Sequence, residues 1–222
     1  MKILKRLYDK WRNNKMNINL VNNTNVKVTV NKSEDGTFSI LIFDDNTKND
    51  KPLGAIDPGK IIKIGNREWV VLGHGSDTTA IISKDFVAEK EFDSKSNDYA
   101  KSDIRKWLND VIYKELKEAV GAENVVEHTV NLTADDGTGK GAKVKDKVSL
   151  LTTELYRRYR EYLPAYGNWW WTATPASKEE GYSRNVCYVN GDGSLNWGDC
   201  DWCGGVRPFC ILSSSVLNFE KV

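Results

Sequence analysis

Apolar positions recur along the chain with two periods, and the changes between them mark out the elements. Ile3, Leu4, Leu7, Tyr8 and Trp11 fall on one helical face of residues 2–15, with Lys2, Lys5, Arg6, Lys10, Arg12 and Lys15 over the remainder. A basic amphipathic helix of this kind lies on a membrane surface, docks on a partner or self-associates; the shortness of its stripe favours the last two. Residues 18–43 alternate instead. Val26, Val28 and Val30 face one way and Lys27 and Thr29 the other, Ser33-Glu34-Asp35-Gly36 signals a turn, and Phe38, Ile40 and Ile42 resume the alternation. This predicts a β-hairpin, too small to be stable alone, that pairs with copies of itself or lies on the main domain. The polar run from Asp44 to Pro52 reads as a linker. It divides the chain into a module at 1–50, a mount and oligomerisation piece, and a domain at 51–222.

In the second part, Ile61 to Ile64, the turn Gly65-Asn66 and Trp69 to Leu72 predict two strands around a tight turn, and Thr79 to Ser83 a third. Ser102 caps a helix whose apolar face is Ile104, Trp107, Leu108, Val111, Ile112, Leu116, Ala119 and Val120, with Gly121 as its stop. Val126, His128, Val130 and Leu132 share a strand face. Thr133 to Lys147, with three Gly and four Lys, reads as a mobile loop. Its Gly137-Thr138-Gly139-Lys140-Gly141 lacks the spacing of a phosphate-cradling loop, and no good helix follows. Val148 to Leu151 is a short strand. Thr152 or Thr153 then caps a second helix with Leu155, Tyr156, Tyr159, Tyr162 and Leu163 on its apolar side. Arg157, Arg158 and Arg160 on its other sides are either a grip for nucleic acid or, more commonly, a solvated face.

The last third concentrates the chemistry. Residues 169–212 hold five of the eight Trp and all four Cys. Asn185 to Val189 alternates, Asn190-Gly191-Asp192-Gly193 is a turn signal, Leu195 to Trp197 returns, Gly198 to Gly204 reads as a second loop, and Val206 to Leu212 closes the domain. Arg207 before Pro208 anchors that last strand by hydrogen bonds. Of the cysteines, only Cys200-Asp201-Trp202-Cys203 has Cys-x-x-Cys spacing, and zinc wants two such knuckles. Cys187, Cys200, Cys203 and Cys210 therefore read as small strand or loop residues, or as one bridge.

Composition narrows the function. With 222 residues, 40% hydrophobic, 28% charged and a net charge of +1, the chain is a soluble globular protein and no electrostatic magnet for nucleic acid. No apolar run approaches the ~20 residues of a membrane span, and no signal-peptide core is present. If the protein leaves its cell, a route such as phage lysis is expected.

Several pieces stand in a fixed order: Ile64–Leu72 with its Trp, Ala80-Ile81-Ile82-Ser83, Phe92-Asp93, Tyr99 through Ser102-Asp103-Ile104-Arg105-Lys106-Trp107-Leu108-Asn109, Val148–Thr152, Trp169-Trp170-Trp171 with Thr174-Pro175, and Gly205-Val206-Arg207-Pro208. Over residues 56–215 this order resembles a family of uncharacterised domains of Firmicutes and their phages. That family looks like a branch of the C-type lectin fold and includes variable proteins diversified by diversity-generating retroelements. The resemblance implies an α+β domain: two helices, a small antiparallel sheet and a long irregular segment carrying the ligand face. Residues 182–203 correspond to the diversified segment of retroelement targets.

The candidate contacts are Tyr182, Arg184, Asn185, Tyr188, Asn190, Asn196, Trp197, Asp199, Asp201 and Trp202. Tyr and Trp offer stiff surfaces at low entropy cost, and Asn, Asp and Arg add directional bonds. Trp169 and Trp171 are read as core. Asn196-Trp197-Gly198-Asp199 faintly resembles the sugar-binding signature of true C-type lectins. Calcium wants 6–8 oxygens, though, and Asp192, Asn196, Asp199 and Asp201 supply four, without a Glu-Pro-Asn-like partner segment. No metal, cofactor or catalytic residue is expected. The expected function is receptor or ligand binding at a phage tail or fibre tip, or on a bacterial surface, with a host cell-surface protein or glycan as partner and residues 1–50 joining several copies. The alternatives are a cysteine oxidase like the formylglycine-generating enzymes, for which Cys203 and Cys210 invite comparison but the active-site run is absent, and a purely structural virion or assembly protein.

Overall fold

The structure is a computed structural model. It describes residues 51–222 and the backbone of two further strands, β1 (Val26–Lys32) and β2 (Phe38–Asp44). The helix expected at 2–15 lies outside the described residues. The chain divides into two compact units, Met1–Thr47 and Lys48–Val222. In the first, β1 and β2 pair antiparallel with Val28 opposite Ile42, so the alternating runs form a hairpin.

The second unit is α+β. Its strands are β3 (Ile61–Ile64), β4 (Arg67–His74), β5 (Thr78–Ser83), β6 (Ala88–Glu91), β7 (Val125–Val126), β8 (His128–Asn131), β9 (Lys143–Asp146), β10 (Val148–Leu150), β11 (Trp170–Pro175), β12 (Asn185–Val189), β13 (Leu195–Asp199), β14 (Cys203–Val206), β15 (Pro208–Ser213) and β16 (Glu220–Lys221). Helix α1 runs through Asp103–Trp107, a π turn at Leu108–Ile112 and Tyr113–Val120; α2 is Thr153–Tyr159. A seven-stranded sheet has the order β10-β15-β5-β4-β3-β16, with β7 beside β15. A five-stranded sheet has the order β13-β12-β11-β14-β6, and β8 pairs with β9. Pairing is antiparallel except where β11 meets β14, Trp170 beside Gly205.

The continuous apolar run Trp69–Leu72 follows from a sheet covered on both sides. Trp69, Val71 and Ile81 join the core under α1 with Ile104, Leu108, Ile112, Leu116 and Val120. Val70, Leu72, Ile82 and Phe209 join a second core under α2 with Tyr156, Leu163 and Trp170. Both helix starts carry the expected caps: Ser102 Oγ accepts from the Arg105 N–H, and Thr152 Oγ1 from the Leu155 N–H. Gly121, at φ 89°, ends α1 in a conformation a side chain would strain.

The two motifs that carry the family resemblance are structural in this molecule. In Ser102–Asn109, Arg105 Nε bonds both carboxylate oxygens of the buried Asp146 at 2.9 and 3.1 Å, and Asn109 Nδ2 donates to Val148 O. In Gly205–Pro208, Arg207 is buried. Its Nε donates to Ser83 O at 3.0 Å, and its guanidinium lies 5.0 Å from the Trp170 ring and 5.5 Å from the Tyr166 ring. Burial lowers its pKa to about 10.

Three expectations need correction. The loop expected at Gly198–Gly204 is shorter: Gly198 and Asp199 end β13, Cys203 and Gly204 begin β14, and the turn between them is Cys200–Trp202. The run expected as a mobile loop ends in a strand, Lys143–Asp146, paired with His128–Asn131. The sheet is not small, because two sheets of seven and five strands share the domain.

Candidate functional site

The site is built on β13, one of the two edge strands of the five-stranded sheet among the described residues. Opposed residues share a face in an antiparallel sheet. Trp171 pairs with Tyr188 and Tyr188 with Asn196, so these three side chains share one face; Cys187 pairs with Trp197 on the other. The Cys200 N–H donates to Arg184 O, which makes Asn185 and Asp199 a pair without mutual hydrogen bonds. By alternation, the Trp197 N–H and C=O point away from β12 along the open edge. That N–H is satisfied locally by Asn196 Oδ1 at 2.8 Å. Asn196 thus blunts an edge that another chain would otherwise extend.

Tyr182, Trp197 and Trp202 are the most exposed aromatic side chains among the described residues, at 45%, 51% and 50%. They straddle the edge rather than tiling one plane. Trp197 meets Tyr182 edge-on, centroids 6.4 Å apart. Trp202 lies on the opposite face, against the backbone of Gly198 and 6.5 Å from Trp169. Trp169 in turn packs edge-on to Trp171 and tilted against Tyr188, each at 4.8 Å. A ladder of rings therefore runs from the buried Trp171 out to Trp202. Trp171 is core, as expected; Trp169 is half-buried and forms the seat of an exposed ring.

An ion-pair frame holds the flanking turns. Arg184 Nη2 lies 2.6 Å from Asp199 Oδ1 and 2.7 Å from Asp201 Oδ2, and its Nη1 donates to Ser94 O and Lys95 O. The hydrogen bond from Arg184 holds the Asp199 carboxyl below the usual carboxylate range. Arg184, Asp199 and Asp201 are thus brought together, but their charges are spent on one another. Asn185 is half-buried at the head of β12. Tyr188 is half-buried in the ring ladder, and Asn190 Nδ2 donates to Ser194 Oγ inside the β12–β13 turn, so both serve structure first.

Sequence reasoning missed Asn97. Its side chain is buried, and Nδ2 lies within 3.1 Å of three carbonyls, those of Ser177, Tyr182 and Asn185, while Lys178 Nζ donates to Oδ1. One amide so clamps the segment that presents Tyr182. An Asn in a polar run carries no periodic signal, so nothing in the sequence singled it out.

The four cysteines are free thiols. Burial pushes Cys187 up to about 12 and Cys200 up to about 11, and Cys210 further still, so none of these three is held as a thiolate; Cys203 is exposed. On α2, Arg157 pairs with Asp135 at 2.9 Å and Arg158 with Glu154 at 3.3 Å, which neutralises much of the basic helix face. No group of His, Cys, Asp and Glu suited to a metal ion occurs among the described residues, and no described helix is long and apolar enough to cross a membrane.

The chain matches no curated protein and no solved structure. A family model does match: that of a domain of unknown function, DUF6273, fits residues 76–214, more than half of the chain, and the chain belongs to that family.

Proposed function

We propose that residues 51–222 are a recognition domain of C-type-lectin type, which binds a receptor or ligand through the β13 edge and does not transform it. One observation carries this reading. Three large aromatic side chains stand about half exposed around a single edge strand, while the other described Phe, Tyr and Trp rings, apart from Tyr166 at 37%, are buried or partly buried. Exposing that much aromatic surface costs free energy unless a partner covers it, and rigid Tyr and Trp anchors are the usual energetic centre of a binding surface. The ion-paired turns around them hold the anchors still, so little ordering cost remains for association. The partner class is a host cell-surface protein or glycan. The setting is a phage tail or fibre tip, with residues 1–50 as mount and with several copies raising the strength of attachment.

The test is attachment to whole cells. Fluorescently labelled full-length chain is titrated onto a panel of Firmicutes cells and read by flow cytometry. For any strain that binds, Trp197→Ala with Trp202→Ala weakens attachment by about tenfold or more, with an unchanged far-UV circular dichroism spectrum. Undiminished attachment of the double variant would move the contact elsewhere and sink this reading.

A further inference from the structure

A second feature is the guanidinium of Arg207. Among the described residues, Arg207 and Asp146 are the only Asp, Glu, Lys or Arg side chains that are buried. Asp146 is met by Arg105, whereas no described carboxylate lies within ion-pair distance of Arg207. Arg207 Nε donates to Ser83 O, which leaves Nη1 and Nη2 without an acceptor among the described residues. These two atoms are not sealed in. The fully buried, unpartnered side-chain nitrogens and oxygens of the described residues are Trp69 Nε1, Ser83 Oγ and His128 Nδ1. Both Nη atoms therefore keep contact with solvent, within the 3% of Arg207 that is exposed. Two rings flank the guanidinium, those of Trp170 and Tyr166. Tyr166 lies in the exposed run 164–168 and stacks on Phe86, centroids 4.4 Å apart. The field of Asp85 reaches Arg207, but Asp85 Oδ1 accepts from the Tyr166 hydroxyl at 3.1 Å and forms no ion pair with it. A buried cation with unmet donors is costly to hold and asks what completes it.

We propose that Nη1 and Nη2 of Arg207 are the floor of a binding site for a small organic monocarboxylate, whose two oxygens accept their N–H groups side by side. Geometry and charge agree. The two Nη groups form a planar fork that matches the paired oxygens of a carboxylate. The opening is narrow and flanked by rings, which suits a flat anion rather than a bulky, strongly hydrated dianion. The negative field of Asp85 adds to that bias. With a pKa of about 10 the guanidinium stays charged at neutral pH, and an ion pair made out of bulk water is little screened by salt. The site shares no residue with the aromatic edge at β13, and it stands or falls without it.

Two probes of one shape test the proposal on the full-length chain, at an ionic strength held constant with chloride: benzoate, and benzamide, in which an uncharged amide replaces the carboxylate. The Arg207 Nε–H is assigned in a 15N correlation spectrum by its contacts with the Trp170 ring protons and by its loss in Arg207→Lys. Benzoate is expected to move that resonance in a saturable way, and to bind about tenfold tighter than benzamide, the usual worth of charge in such a bond. Arg207→Lys keeps a positive charge but loses the fork, and it weakens benzoate about tenfold. Asp85→Asn changes an exposed side chain and keeps an acceptor for Tyr166. By removing a nearby negative charge it is expected to tighten benzoate about threefold. That arm decides the matter even where the lysine variant does not fold. An Arg207 resonance unmoved at tens of millimolar benzoate overturns the proposal. So do equal affinities for the two probes, the same shift on adding chloride alone, undiminished binding by a folded Arg207→Lys, and an affinity that Asp85→Asn leaves unchanged.

Discussion

His128 shows how one side chain ties the fold to pH. Its Nε2 lies 2.9 Å from Ser149 Oγ and its ring stands edge-on to Phe209, centroids 5.2 Å apart. Burial lowers its pKa to about 4, against about 6.5 for a free imidazole. The unfolded chain therefore takes up a proton at higher pH than the folded one. The native state keeps its full stability above pH ~6.5 and loses it progressively as pH falls toward 4. Carboxylates begin to titrate below about pH 5, so the diagnostic window is between these limits. Urea unfolding at pH 6.5 and at pH 5 is expected to differ by about 1–2 kcal/mol. In His128→Gln that difference shrinks to what the remaining groups contribute, although the variant is less stable at both pH values. An unchanged slope would mean that His128 is not held neutral. The sequence placed His128 on a strand face with Val130 and Leu132, and the structure buries all three. The Ser149 partner was out of view, because it comes from a strand far along the chain.

At the scale of elements, strands and helices with a clear period were legible, and glycine-rich strands were not. Gly198 and Gly204 read as loop residues because glycine usually marks a turn. Here each lies within a strand because an aromatic ring rests on its backbone. A Cβ on Gly204 would meet the Trp169 ring at 2.3 Å, one on Gly205 the Phe86 ring at 2.4 Å, and one on Gly198 the Trp202 ring at 2.6 Å. This distinction yields a contrast. Trp202 is half exposed, so in Gly198→Ala the ring is expected to shift, leaving stability within about 1 kcal/mol of the parent while cell attachment weakens. Trp169 and Trp171 are packed in the ladder, so Gly204→Ala is expected to cost about 1–3 kcal/mol in denaturant unfolding. The Asn97 clamp makes the complementary case. An amide has two hydrogens to share among three carbonyls, so the whole 177–185 segment depends on one side chain. Asn97→Ala is expected to cost about 2 kcal/mol and to open the chain to trypsin at Lys178 and Arg184. Equal trypsin resistance of variant and parent would show that the segment holds itself. The parallel contact of β11 with β14 and the edge position of β13 were illegible for another reason: strand order is set by packing between distant segments, not by local pattern.

For the molecule as a whole, the question is which forces are left over for a partner. The sequence carries 32 basic and 31 acidic residues, and the structure pairs them where they cluster. Arg157 and Arg158 are matched by Asp135 and Glu154, Arg184 by Asp199 and Asp201, and Arg105 by Asp146. What remains unmatched at the β13 edge is aromatic surface. Attachment through that edge is therefore expected to depend weakly on salt, since desolvation of rings is not screened and rim charges mainly affect the rate of encounter. Raising NaCl from about 0.05 M to about 0.5 M is expected to weaken binding to cells by less than about threefold, whereas a surface gripping a row of phosphates loses several powers of ten over a similar range. The measurement is the cell titration repeated along a salt series. A steep slope would transfer the contact from the rings to cationic residues, and the Lys- and Arg-rich stretch at 2–15, rather than the edge of the five-stranded sheet, would then be the segment to mutate.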